Sequence, residues 1–170
     1  YFINEEFAFY LSFENGLIKR SLNISYENTA NPSLGSKARY KDYVRIMVPQ
    51  NSEIAKVRIL SGGDILEQDP EIEDLHGRRE AGVVFEIAPG QKKVISFSWE
   101  SPAFLDFSQK GEYKLYVRKQ AGSKNALINL NMIPPAGPKY GSTPSFSLTR
   151  EGAYVYNTNL SRDLFSRIYW

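Results

Sequence analysis

His76 is the only histidine in the chain, and there is no cysteine. Triad chemistry needs a nucleophile, a base beside it and a carboxylate that orients the base. Glu73 and Asp74 are close to His76 in sequence and serines are plentiful, but no Gly-x-Ser-x-Gly elbow is present. A lone histidine in a polar stretch reads as a solvated one. Without cysteine, structural disulfides, thiol catalysis and thiolate metal sites are excluded.

Carboxylates offer a second chemistry. Asp64, Glu67, Asp69, Glu71, Glu73 and Asp74 form one acidic run. Calcium takes roughly six to eight oxygens, so such a run could cage it. The run lacks the Asp-x-Asp-x-Asp-Gly spacing of a calcium loop, and Asp69-Pro70 stiffens its middle. A solvated charge run is the default reading.

Aromatic rings offer a third. Tyr10, Tyr43 and Tyr116 fall opposite the core pattern of their strands, where a ring could stack on a sugar. Ordinary cross-strand pairing accounts for the same positions. Asn23-Ile24-Ser25 and Asn159-Leu160-Ser161 match the glycosylation acceptor pattern, which matters only in a eukaryotic secretory setting. No catalytic, cofactor-binding or metal-binding residue is assigned, and no cofactor is expected.

The elements that would carry these residues are strands. In Val83–Pro102, two alternating runs flank Pro89-Gly90, with Ile95, Phe97 and Trp99 on one face. Period-two alternation marks a half-buried strand. Proline followed by glycine suits a type II turn over 88–91. Phe7, Phe9, Leu11 and Phe13 alternate before Asn15-Gly16, and Ile18, Leu22, Ile24 and Tyr26 follow it, which predicts a hairpin. A loop is predicted over 28–38. Tyr40–Val48 is a strand with Val44, Ile46 and Val48 inward, and Ile54–Leu60 is another. Ser61–Gly82 reads as a long loop, the natural place to look for activity.

Further along, Glu112–Lys119 alternates with Tyr113, Leu115 and Val117 inward. Ala121–Lys124 turns the chain and Leu127–Met132 returns. Pro134–Pro138 is a stiff connector. Phe146–Thr149, Ala153–Asn157 and Leu164–Tyr169 complete the pattern. About ten or eleven short strands without an amphipathic helix predict an all-β fold, an antiparallel two-layer β-sandwich of immunoglobulin-like or related type. Its 170 residues suit one domain spanning 1–170, with 139–170 as terminal strands packed on the same sandwich. A net charge of +2 is too balanced to suggest a nucleic-acid partner. No apolar run is long enough to span a bilayer.

These residues resemble a known family. The sequence runs through SYENTANP, YKDYVRIMVPQNS, VVFEIAPGQKKVISFSWESP and YKLYVRKQAGSK to a final YNTNLSRD. The order is similar to the carboxy-terminal region of the bacterial membrane-anchored family known as domain of unknown function 4012. The likeness covers nearly the whole chain, and its Arg-x-x-Val-Pro and Lys-Gln-x-Gly elements are the most specific. The stretch 64–74 fits least well, as does Arg118 ahead of Lys119-Gln120. The family has no assigned activity, cofactor or site residue. Its recurrent Asp42, Arg45 and Lys119 have a structural explanation as strand-end charges that pair or cap turns.

The resemblance implies a non-enzymatic, extracellular module on the outer face of a bacterial envelope, held by a membrane segment outside this chain and mediating surface interaction or assembly. Its expected partners are cell-surface polysaccharide or an envelope protein, with no nucleic acid. The basic remainder outside the acidic run favours weak attraction to anionic polymers. Two rivals stand beside this reading. One is a carbohydrate-binding module or part of a polysaccharide-processing enzyme. The other is an assembly subunit that pairs through open strand edges.

Overall fold

The computed structural model of the chain describes residues 2–103, 105–119 and 125–170. It contains fifteen strands: β1 (Ile3–Glu14), β2 (Leu17–Asn28), β3 (Tyr40–Pro49), β4 (Glu53–Ile54), β5 (Val57–Ser61), β6 (Asp64–Gln68), β7 (Glu71–Leu75), β8 (Arg78–Ile87), β9 (Lys92–Pro102), β10 (Glu112–Val117), β11 (Ala126–Ile133), β12 (Gly141–Thr143), β13 (Ser147–Leu148), β14 (Tyr154–Leu160) and β15 (Leu164–Tyr169). One layer is a nine-stranded sheet in the order β13-β14-β11-β1-β2-β9-β5-β6, with β4 also paired to β9. The opposite layer is divided into two three-stranded sheets, β3-β8-β7 and β10-β15-β12. The all-β sandwich is therefore as the alternation predicts.

Alternation also places the core correctly. Phe9, Leu11, Ile46, Val48, Ile95, Phe97 and Trp99 are buried in one cluster, with Val44, Leu115 and Val117 packed against it. Fully burying a side chain such as Phe97 is worth ~1.5–3 kcal/mol. Rings join the layers: Tyr26 of the large sheet meets Tyr40 and Phe85 at centroid distances of 6.4 and 4.7 Å. Phe13 meets Tyr113 edge-on at 5.9 Å.

The turns follow their chemistry. Asn15 and Gly16 both take positive φ, 52° and 76°, as a two-residue hairpin requires. Gly90 sits at φ 75° and the Gln91 amide donates to the Ala88 carbonyl at 3.2 Å, closing the Pro-Gly turn.

Several expectations are corrected. Residues 61–82 are not a long loop: β6 and β7 occupy most of them, and β8 begins at Arg78. Both new strands lie at sheet edges and are exposed on both faces, so no alternation marks them. Among the described residues the strands number fifteen rather than ten or eleven. Within 28–38, Asn28 belongs to β2 and Pro32–Ala38 forms 3-10 turns capped by the Asn31 side chain. The sandwich is not wholly antiparallel either, because β11 crosses layers and runs parallel to β1 instead of returning along β10. The turn expected over 121–124 lies outside the described residues. The terminal strands are built into both layers: β14 pairs with β11, and β15 with β10.

Candidate functional site

The residues singled out by type do not converge. His76 occupies the tip of the β7–β8 hairpin in a left-handed conformation, φ 51°, with Gly77 beside it. Its neighbour Asp74 is turned to Arg79, which donates to both carboxylate oxygens at 2.8 and 2.9 Å and holds that carboxyl below its ordinary range. Glu67 pairs with Arg58 at 3.4 Å across β5–β6, and Glu71 accepts the Tyr43 hydroxyl at 2.9 Å. Among the described residues no group of three or more His, Asp or Glu side chains is placed to hold a metal ion.

The three tyrosines also separate. Tyr43 and Tyr116 stand on the outer faces of the two small sheets, and each is already engaged. The Tyr43 ring carries Arg45 above it at 5.8 Å. The Tyr116 ring carries Arg118 at 5.7 Å, and its hydroxyl donates to Asp163. Those hydrogen bonds to carboxylates push both phenols above their ordinary range. Tyr10 is different. It is 45% exposed on the outer face of the large sheet, where its neighbours are small.

That outer face has a composition of its own. Ser21, Asn23 and Ser25 on β2 alternate with core-facing Leu22 and Ile24. Ser96 and Ser98 do so on β9, Asn129 and Asn131 on β11, and Asn157 and Asn159 on β14. Pairing register turns these period-two sets into rows across the strands. Tyr10 lies between Asn131 and Ser21, and Ser21 is followed by Ser98. Two residues along each strand, Asn157, Asn129, Ala8, Asn23 and Ser96 form a second row. With neighbouring strands ~4.8 Å apart, that row is about 20 Å long. Charge on this face is sparse: Lys19 and Glu100 lie at one end of the groove, Arg58 lies beyond Ser96, and Glu6 stands between Leu127 and Ser25 in the next row.

A groove of about 500 Å³ runs here, lined by Tyr10, Ser21, Ser98, Asn131, Ile133 and Lys19 among others. Among the described residues, none of these nine serine and asparagine side chains hydrogen-bonds within the protein. Hydroxyls and amides donate and accept alike, and an exposed ring adds an apolar platform. The set is suited to hydroxyl-rich, uncharged ligands. Sequence reasoning noted Tyr10 but not the rows, whose signal is small polar residues at alternate positions on four strands. What the sequence does not show is that β14, β11, β2 and β9 share a sheet with β1.

Arg20 was also missed. It interrupts the apolar face of β2 between Ile18 and Leu22 and is only 9% exposed. Its guanidinium donates to Ser101 Oγ at 2.8 Å, Tyr113 Oη at 3.1 Å and the Ile18 carbonyl at 3.3 Å, tying the large sheet to β10.

A second groove, about 400 Å³, lies beside β3 over the inner face of the large sheet. Asp42 and Arg45 line it, together with Glu5 and Arg118. Asp42 accepts the Tyr40 hydroxyl at 2.7 Å and the Tyr43 amide at 2.8 Å, and Arg45 pairs with Glu80 at 3.2 Å. Burial first, and then the Asp42 charge, push the Glu5 carboxyl above its ordinary value, while Lys119 pulls the other way. The Lys119 amide donates to Asp163 at 2.8 Å. Arg45 thus pairs with a charge across the strands, Asp42 is held by a hydroxyl and its neighbour's amide, and both line this groove.

No protein-family model matches the chain, and no curated protein matches it. Solved structures share its fold. A candidate nutrient-binding protein of Legionella pneumophila is 13% identical with a TM-score of 0.55, over 98% of this chain and 67% of that one. Native leukotriene A4 hydrolase of Saccharomyces cerevisiae is 10% identical with a TM-score of 0.56, over 98% of this chain but 28% of the hydrolase. At such identities the chain shares an architecture with these proteins, and it corresponds to only part of each.

Proposed function

We propose that this chain is a non-enzymatic binding module displayed on a bacterial envelope, and that it holds a neutral polysaccharide across the outer face of its nine-stranded sheet. One observation carries the reading: rows of serine and asparagine with no partner among the described residues surround the exposed ring of Tyr10. A sugar ring presents hydroxyls at its rim and C–H groups on its faces, and this surface offers a complement to both. The strand spacing of about 4.8 Å is close to one pyranose length, so successive sugars would meet successive strands. Envelope placement is supported by the family resemblance carried by YKDYVRIMVPQNS and YKLYVRKQAGSK. The Legionella pneumophila neighbour, described as a candidate nutrient-binding protein, supports a binding role for the fold. The yeast hydrolase carries a similar fold as 28% of a larger enzyme, which favours the second reading, a companion domain to a polysaccharide-processing unit.

Affinity electrophoresis in gels containing a neutral dextran, a neutral wall polysaccharide or an acidic capsular polymer tests the site. The expected result is retardation by a neutral polymer that withstands salt. Tyr10→Ala should weaken it about tenfold, equivalent to ~1.4 kcal/mol. Equal retardation of Tyr10→Ala and the parent chain, or binding only to the acidic polymer and lost with salt, would overturn the neutral-polymer reading. External protease on intact cells tests the placement: it should remove the domain while sparing cytoplasmic markers.

A further inference from the structure

One end of the groove around Tyr10 is charged, and its charges do not cancel. Register sets a further row beside that of Tyr10: Ile133 on β11, Ser12 on β1, Lys19 on β2, Glu100 on β9 and Glu53 on β4. All of them line the groove. The Lys19 ammonium donates to Glu14 at 2.7 Å. That hydrogen bond first, and the charge of Glu100 last, hold the ammonium above its ordinary range. Among the described residues no cation stands within ion-pairing distance of Glu53 or Glu100. Lys19 and Glu14 offset each other, so Glu53 and Glu100 leave this end of the groove negative.

Like charges directly opposite on neighbouring strands repel, so this pair does not serve the sheet that carries it. Its effect on a ligand follows from its chemistry. An ionised carboxylate only accepts hydrogen bonds. A sugar hydroxyl can donate to it, and such a bond is roughly twice as strong as one between neutral groups. A uronate, a sulfate ester or a phosphodiester brings oxygens that also only accept, and a like charge with them. The serines and asparagines of the other rows both donate and accept, so they do not distinguish the two kinds of polymer. The chain as a whole carries +2 and attracts acidic polymers. This end of the groove repels them.

We infer that Glu53 and Glu100 are the specificity-determining residues of the groove: they admit a glycan that bears hydroxyls where it crosses β9 and β4, and exclude one that bears acidic groups there. The inference rests on the polysaccharide reading of this face. It adds which residues choose the polymer and by what property.

Affinity electrophoresis against dextran and carboxymethyl-dextran tests this, since the two polymers share a backbone and differ in charge. Salt near 0.1 M screens charges beyond ~10 Å, so those around the groove dominate. Glu53→Gln with Glu100→Gln keeps shape and accepting oxygens while removing both charges. This double variant should bind carboxymethyl-dextran about tenfold more tightly than the parent chain. Either single substitution should give part of that gain. Adding Tyr10→Ala should cancel it, which locates the polymer in the groove. Glu27→Gln with Glu73→Gln makes the same change in net charge elsewhere. Glu27 is about 26 Å along β2 from Lys19, and Glu73 belongs to the opposite layer. That control should leave the affinity unchanged. No gain in the groove variant, an equal gain in the control, or a gain that survives Tyr10→Ala would overturn the inference. A parent chain that ignores every neutral polymer would instead defeat the neutral-polymer reading, while the gain toward carboxymethyl-dextran still decides the role of the two glutamates.

Discussion

The outer face of the large sheet and the outer faces of the two small sheets are built on the same pleat, yet they use their polar groups in opposite ways. On the small sheets, charges are paired, within a strand or between neighbours. Glu86 meets Arg39 at 3.1 Å and Lys41 at 3.7 Å, Arg45 meets Glu80 at 3.2 Å, and Glu112 meets Lys114 and Arg167. Tyr43 and Tyr116 there are bound to carboxylates and covered by arginines. On the large sheet the equivalent positions are serine and asparagine around an uncovered Tyr10. Exposed ion pairs contribute little to stability, about 0–1 kcal/mol each. They do, however, satisfy and order the side chains involved. A surface of unpaired hydroxyls and amides leaves its hydrogen-bonding capacity to whatever arrives.

The comparison is broken most decisively at the core beneath the polar face. Trp99 sits on the inner side of β9, 8% exposed, with its ring 6.0 Å from that of Phe9. Trp99→Ala should cost ~3–5 kcal/mol. Tyr10→Ala, on the outer side of the same sheet, should stay within about 0.5 kcal/mol. Denaturant midpoints check both, and a Tyr10 effect as large as the Trp99 effect would make Tyr10 a structural residue.

Arg20 comes next. Its guanidinium makes three hydrogen bonds inside the sandwich, one of them to Tyr113 across the layers. Arg20→Ala should cost about 2–4 kcal/mol, because Tyr113 and Ser101 lose a charged partner inside the sandwich. Arg20→Met retains the packed stem and should recover part of that loss. Equal midpoints for the two variants would show that only the hydrogen bonds matter.

Both residues show what alternation can and cannot reveal. The phases of β1, β2, β3 and β9 are legible because each strand has one face in water and one in the core. Asn15-Gly16 and Pro89-Gly90 are legible because their turn types demand those residues. β6 and β7 are not, since an edge strand exposed on both faces needs no alternation, and Asp64–Leu75 shows only charge interspersed with Ile65, Leu66 and Ile72. Arg20 was hidden because a period-two pattern assigns it to the core face without saying that Tyr113 and Ser101 will meet it there. The polar rows were hidden for a different reason. Each strand shows its own serines and asparagines, but the rows exist only once β11 crosses to lie parallel to β1. Sequence separation between β1 and β11 leaves no local trace of that pairing.

Glu5 sharpens the contrast between paired and unpaired charge. Burial and Asp42 raise its carboxyl above the ordinary value of 4.5. The folded chain therefore holds this proton more tightly than the unfolded chain. Its contribution is full below about 4.5 and is lost as pH rises through the raised value. Glu5→Gln should be slightly stabilising at neutral pH, by less than about 1 kcal/mol after solvent screening. That gain should vanish below pH 4.5, where the native carboxyl is already neutral. Paired melting curves across that range check the sign. A glutamine variant less stable at neutral pH would show that Glu5 is held chiefly by Lys119, whose charge acts in the opposite direction.

The smallest expected effect concerns the acidic stretch, because its carboxylates follow the small-sheet pattern. Glu67, Glu71 and Asp74 are each turned to a different partner: Arg58, the Tyr43 hydroxyl and Arg79. They also belong to different layers, since β6 closes the large sheet while β7 closes the β3 sheet. Calcium binding would require several of these groups to leave their partners and gather about one centre. A ligand shifts unfolding only when it prefers the folded chain. The melting temperature should therefore be the same with calcium and with chelator. A fall on chelation that calcium reverses, and that Asp64→Asn or Asp69→Asn abolishes, would mean that the stretch rearranges from its paired state. The division between paired small sheets and an open large sheet would then fail at the edge where the two layers meet.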